Sequence, residues 1–195
     1  MSVKPDTKGK LNRQKIVDEA NALFYQRGFN KTSFSEVALA SGIPKGNLYF
    51  YFKSKDELLH AVIDERFTFI QQRLKDYEQE CRSPLECLKR LAEMPLSEVE
   101  NIIHYGCPIG SLATELAKTK ITEKAQLEKL FDLYINWGEK QFRELGQGDQ
   151  SRQLARRMMA RLQGIITLAN VYTDAEFLEQ EIAQVKDWLE SFALS

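Results

Sequence analysis

Long apolar runs are absent from this chain of 195 residues. A membrane-spanning helix needs about 18 or more consecutive apolar residues, so none is expected. The polar start, MSVKPDTKGKLNRQK, lacks the apolar stretch of a secretory leader. Cysteine is scarce: Cys81, Cys87 and Cys107 are odd in number and form no CxxC pair, which argues against a disulfide framework and a zinc cluster. Cys81 and Cys87, around Ser83-Pro84, read as incidental thiols. His60 and His104 have no partners at ligand spacing, so neither a metal site nor a cofactor is expected. A phosphate loop, a zinc-protease helix and a Ser/His/Asp set are all missing, although a small helical enzyme would need convergent groups of that kind. Together these absences point to a reduced, cytoplasmic protein.

Disorder is excluded by what is present. Hydrophobic residues make up 43% of the chain and charged residues 28%, enough apolar side chain to fill a core. The net charge of −1 is unevenly spread. Residues 1–60 carry ten Lys/Arg against six Asp/Glu, and the remainder carries 17 against 22. A basic head on an acidic body suits a module that touches nucleic acid while the rest does something else.

Five prolines and ten glycines sit mostly between long periodic stretches, the punctuation of an all-helical protein. Ile16, Val17, Ala20, Leu23 and Phe24 form one apolar face of a first helix running from about Leu11 to Gly28. Ser33 and Glu36 form a capping box for a short second helix closed by Gly42. A third short helix opens at Pro44 and runs to about Phe50. A long fourth begins near Ser54 and keeps helical spacing to Ser83-Pro84. Further helices are expected near 84–93, 95–105, 108–118, 122–146, 150–172 and 174–192. Leu154, Met158, Leu162, Ile165 and Ala169 line one face of the penultimate helix. Leu178, Ile182, Val185, Leu189 and Phe192 make a heptad-type seam on the last. Met159, Ile166, Val171 and Trp188 lie off these stripes, which predicts a second apolar face and a dimer.

The strongest signal lies in residues 33–56, SFSEVALASGIPKGNLYFYFKSKD. Two short helices joined by a tight turn at Ser41-Gly42-Ile43 make a helix-turn-helix. Leu48 anchors the second of them, while Lys45, Gly46, Asn47, Tyr49 and Tyr51 offer polar side chains or close backbone approach. A helix of about 10 Å fits a major groove about 12 Å wide, where Asn reads base edges and Lys and Tyr reach phosphates. Lys55 opens the next helix, whose N-terminal amides also suit a phosphate. Tyr49 and Tyr51 have an alternative as core aromatics, and Lys45 and Lys55 as solvated lysines.

With Phe24, Gly28-Phe29, Thr32-Ser33, Val37-Ala38, Ser41-Gly42-Ile43, Lys45-Gly46-Asn47-Leu48-Tyr49, Tyr51-Phe52 and Lys53-Ser54-Lys55-Asp56-Glu57-Leu58, the block resembles the DNA-binding domain of the TetR family of transcriptional regulators. The resemblance is close over residues 12–60, and the helical remainder suits the family's ligand-binding and dimerisation domain. Residues 1–10, with Pro5, Gly9 and polar neighbours, read as a flexible arm; the resemblance implies an N-terminal three-helix helix-turn-helix DNA-binding domain at 11–54 and a helical effector-binding and dimerisation domain at 55–195. It implies that Ser33, Ser35, Lys45, Gly46, Asn47, Tyr49, Tyr51 and Lys55 face DNA while Leu48 and Phe52 pack inward. Asn47 stands where many members carry Thr or Ser, which leaves base preference there open. The implied partners are a double-stranded, near-palindromic DNA operator, a second copy of the chain and a small-molecule effector that releases the DNA. Two reading helices in such a dimer stand about 34–36 Å apart.

Aromatic residues of the body supply effector candidates: Phe67, Phe69, Tyr105, Phe131, Tyr134, Trp137 and Phe142, each with plain core packing as the alternative. In His104-Tyr105-Gly106-Cys107-Pro108, the proline reads as the first residue of a helix and Cys107 as its cap. A thiolate there faces the positive end of the helix and free amides, as an electrophile or oxidant sensor requires. Some electrophile-sensing TetR members look similar over Gly106 to Leu116; the alternative is a small residue lining pocket or core. Two other functions remain open on the sequence: a small all-helical enzyme, or a helical module that docks protein rather than DNA.

Overall fold

The computed structural model describes residues 7–117 and 124–193, and among them the regular elements are all helices. A head is formed by α1 (Thr7–Arg27), α2 (Phe34–Ser41) and α3 (Lys45–Tyr51). Helix α4 (Lys55–Glu80) leads from the head into a body. The body continues through α5 (Pro84–Glu93), a 3-10 turn (Met94–Glu98), α6 (Val99–Tyr105), α7 (Pro108–Ala117), α8 (Lys124–Glu144), α9 (Ser151–Tyr172) and α10 (Ala175–Glu190). In the body α8 lies along α9, α10 packs on α9 and α5, and α4 packs on α8. Helix α7 touches both α8 and, in the head, α1.

Local chemistry starts these helices where the sequence predicts. The Ser33 hydroxyl accepts the Glu36 N–H while the Glu36 carboxylate accepts the Ser33 N–H, a closed capping box. The side chains of Ser54, Ser83 and Asp174 accept the Glu57, Glu86 and Phe177 N–H groups and so cap α4, α5 and α10. Between α2 and α3, Gly42 takes φ +64°, the left-handed conformation that a side chain would strain.

Several boundaries differ from expectation. Helix α1 begins at Thr7, so residues 7–10 of the expected arm are helical, because nothing in Lys8-Gly9-Lys10 terminates the spiral before Leu11. Residues 1–6 of that arm lie outside the described residues, as do 118 and 122–123 at the ends of two expected helices. Pro44 caps α3 from one position outside, with ψ at 137°, and its carbonyl accepts the Asn47 and Leu48 N–H groups. The helix expected over 95–105 is split: Pro95 supplies no N–H, and Glu98 breaks the spiral at ψ 38°.

One hydrophobic core runs without interruption from Ile16, Val17 and Phe24 in the head, through Leu58, Leu59 and Val62, to Leu178 and Leu189 in α10. Both expected seams on α9 and α10 are buried, with Phe192 partly so. The expected second apolar face is corrected in part. Met159 and Ile166 are buried in the same core, and Trp188 packs against Phe142 and Phe192. Val171 alone of the four stays fully outside, joined by Leu168 and Tyr172.

Candidate functional site

Helix α3 is seven residues long, about 10 Å at about 1.5 Å per residue. Leu48 and Phe52 are both 0% exposed, and burying two such side chains stabilises the seating of the rod by about 1.5–3 kcal/mol each. Lys45, Gly46, Asn47 and Tyr49 then stand on its open side. A Cβ built on Gly46 meets nothing within 4 Å, so the chain itself makes no use of the bare backbone there. Tyr49 leans on Phe34, with centroids 5.0 Å apart. Phe50, 77% exposed, shares this surface, and no expectation had included it. Ser33 and Ser35 are exposed at the start of α2, Ser33 with its hydroxyl engaged in the cap. Two residues sit differently from the rest. Tyr51 is half-buried and its hydroxyl accepts the Asn12 side-chain N–H at 3.2 Å. Lys55 points its ammonium at the Phe29 and Thr32 carbonyls, both at 3.0 Å, above the Phe29 ring.

Head and body are tied around the α1–α2 turn. The Tyr25 hydroxyl donates to the Gly106 carbonyl at 2.8 Å and reaches that of Asn101 at 3.1 Å. Burial foremost, with Glu98 and Cys107 nearby, pushes this phenol well above its ordinary range, so it stays a donor. Glu115 of α7 accepts the Phe29 N–H at 2.9 Å and the Asn30 N–H at 2.7 Å. Gly28 lies under this carboxylate at φ +87°, and a Cβ there would stand 3.0 Å from Glu115 Oε2. Arg66 of α4 donates from Nε to Asn21 Oδ1 of α1 at 2.7 Å and from Nη1 to the Pro108 carbonyl.

Beside these ties an open cleft of about 1040 Å³ is lined by Cys107, Phe131, Gln163, Thr167 and Asn170 among others. Cys107 precedes α7 as expected, and its Sγ accepts the Gly110 N–H at 3.3 Å. Gln163 Nε2 donates to the same sulfur at 3.4 Å, while Asn170 holds the Ile103 carbonyl at 3.1 Å. A side chain at Gly110 would collide with Gln163 Oε1. Of the expected effector residues, the cleft gathers Cys107 and Phe131. Tyr105 stands next to it, partly exposed and edge-on to Tyr25. Phe67 packs against the core, Phe69 is exposed, and Phe142 is fully buried. Tyr134 is buried, its hydroxyl 3.8 Å from Met94 Sδ, and burial raises its ionisation well above the ordinary range. Trp137 is buried, and among the described residues its N–H finds no partner.

Arg66, Glu115 and Gln163 were missed by the sequence reading. Arg66 falls at a core position of the α4 stripe, between Ile63 and Ile70, and Gln163, Thr167 and Asn170 repeat at 4 and 3 along α9. Both patterns are readable signals: a charge in an apolar stripe, and a polar stripe on a buried helix. Among the described residues no group of three or more His, Cys, Asp or Glu could hold a metal ion, and no helix is long and apolar enough to cross a membrane.

Residues 16–62 match the family model described as bacterial regulatory proteins, tetR family. Over 178 residues the chain is 31% identical to the HTH-type transcriptional regulator in the lacX 3′ region of Lactococcus lactis subsp. lactis, covering 89% of this chain and 91% of that one. It is 26% identical over 123 residues to the HTH-type transcriptional repressor DhaR of Mycobacterium sp. strain GP1, covering 63% and 61%. A crystal structure of a TetR transcriptional regulator from Legionella pneumophila superposes with a TM-score of 0.79 at 25% identity, covering 96% of this chain and 98% of the other.

Proposed function

Since this chain belongs to the TetR family, and so is a DNA-binding transcriptional regulator rather than an enzyme, we propose that it is a homodimeric repressor released from its operator by a small electrophile that reacts at Cys107. The observation that carries the DNA half is the α3 rod, with Leu48 and Phe52 seated behind it and Lys45, Asn47 and Tyr49 on the open side. In this reading Asn47 reads a base edge, Lys45 and Tyr49 hold phosphates, Gly46 lets the backbone approach, and Ser33 and Ser35 touch the flanking strand. Tyr51 and Lys55 support the surface from beneath: Lys55 already spends its charge on the α1–α2 turn. The repressor reading is favoured by the Mycobacterium relative, itself named a repressor. A two-fold pair is favoured by Leu168, Val171 and Tyr172, exposed together at the end of α9.

The electrophile reading rests on Cys107 lining an open cleft at the N-terminus of α7, with the ties to the head on either side of it. A ligand prefers one of two arrangements only by contacting them differently, and an adduct at residue 107 lies next to the carbonyls that hold Tyr25 and Arg66.

The test is selection of bound duplexes from a random pool, then titration of the best one with N-ethylmaleimide. A near-palindrome is expected, bound with an affinity that falls steeply with salt, and released by the reagent from wild type but not from Cys107→Ser. Failure to retard any duplex at low salt overturns the DNA reading, and equal release from Cys107→Ser overturns the electrophile reading.

A further inference from the structure

A helix turns by about 100° per residue, so on α3 Phe50 stands about 160° from Leu48, the fully buried seat of the rod. Phe50 is therefore the crest of the open side. Gly46 and Asn47, one turn nearer the start of the helix, lie to either side of it. Lys45 and Tyr49 fall on one flank of the rod and Tyr51 on the other. Groups that suit phosphates thus occupy the flanks, and a hydrocarbon ring occupies the middle. Phe50 is 77% exposed and stands outside the core, yet its ring is held in place. It meets the Tyr51 ring edge-on, with centroids 5.5 Å apart and planes at 86°. Tyr51 is tied in turn to α1 through the Asn12 side chain. Towards Gly46 there is open space, since a Cβ built there meets nothing within 4 Å. A fixed apolar ring therefore borders bare backbone, with Asn47 beside it. At its base edges the major groove presents one apolar group, the C5-methyl of thymine.

We propose that Phe50 is a specificity-determining residue that packs its ring on a thymine C5-methyl in each half-site, with Gly46 leaving room for the base edge. This rests on the DNA reading given above and adds a second kind of contact to it. Asn47 reads a base through hydrogen bonds, whereas Phe50 reads one through a single methyl group. Cytosine, the other pyrimidine, lacks that methyl and presents a polar N4 donor instead, so it leaves the ring facing water. The contact also gives the exposed ring a purpose: in the free protein it is wetted, and on the operator the methyl takes the place of that water.

Deoxyuridine isolates this contact, because it pairs as thymidine does and lacks only the methyl. In the duplex selected from the random pool, each thymidine is replaced in turn by deoxyuridine, at the matching position of both half-sites. Affinities of wild type and Phe50→Ala are measured at low salt, where phosphate contacts hold both proteins on the duplex. The expected result is one thymidine position per half-site at which the replacement weakens wild type about fourfold, and about 15-fold when both half-sites are changed. Phe50→Ala binds the thymidine and deoxyuridine duplexes equally, keeps the salt slope of wild type, and melts within ~2 °C of it. A half-site with no methyl-sensitive position overturns the proposal while leaving the DNA reading in place. So does a methyl effect that persists in Phe50→Ala, because another residue then reads the methyl. A Phe50→Ala protein that unfolds, or that loses every duplex at low salt, overturns it too, by giving Phe50 a structural role. Failure of wild type to retard any duplex overturns the DNA reading and this contact together.

Discussion

Asn47 and Lys45 stand two residues apart on one short rod, and the proposal gives them different work. Lys45→Ala is expected to weaken binding about equally across sequences and to lower the salt slope by about one. Asn47→Ala is expected to relax preference at one base pair, a discrimination of about 1–3 kcal/mol, read from affinities for a panel of single-base variants. Leu48→Ala should cost about 2–5 kcal/mol in urea unfolding, since it empties the fully buried seat behind α3. Leu48 was legible as an anchor among its polar neighbours, and Phe52 came with the family resemblance; both are fully buried. Lys55 was not legible in this way. Its position at a helix start suits a phosphate, but the carbonyls of Phe29 and Thr32, 26 and 23 residues away in sequence, reach its ammonium first. The same holds for Arg66, whose partners come from α1 and from the start of α7.

Elements were read best where their ends are written locally. The Ser33–Glu36 box was legible because both partners lie within one turn, and it carries a pH signature. The Ser33 N–H and hydroxyl, with Arg27 behind them, hold the Glu36 carboxyl below its ordinary 4.5. A depressed carboxyl stabilises the fold above that ordinary value, and the contribution is lost as pH falls through the lower, folded value. The difference in urea midpoint between wild type and Glu36→Gln is therefore expected to be full near neutral pH and to shrink as pH falls below the ordinary 4.5. Helix α7 shows what local reading misses. Its start at Cys107-Pro108 was plain, yet Glu115, about 12 Å along the rod, does the tethering. Glu115→Ala is expected to expose the Phe29 and Asn30 amides, with hydrogen exchange there faster by at least ~10-fold while the α9 and α10 core amides keep their protection.

At the scale of the molecule, the all-α class was legible from periodicity and the scarcity of breakers. The outer surface was harder to read. An apolar residue off the main stripe can belong to a wide core or to a partner, and only packing distinguishes Met159 and Ile166, which are buried, from Val171 and Tyr172, at 68% and 74% exposed. A Val171→Asp/Tyr172→Asp double variant is expected to sediment as a single chain with its helical signal intact, and to lose operator binding because a lone rod cannot span a two-fold site.

The backbone at Gly28 has a genetic consequence. Any replacement there is strained at φ +87° and crowds the Glu115 carboxylate. Under the proposed effector reading, mutants at this codon accumulate as folded protein in which signal reception and gene control have come apart. A screen for deaf regulators, still abundant in the cell and indifferent to inducer, is the screen in which they would surface.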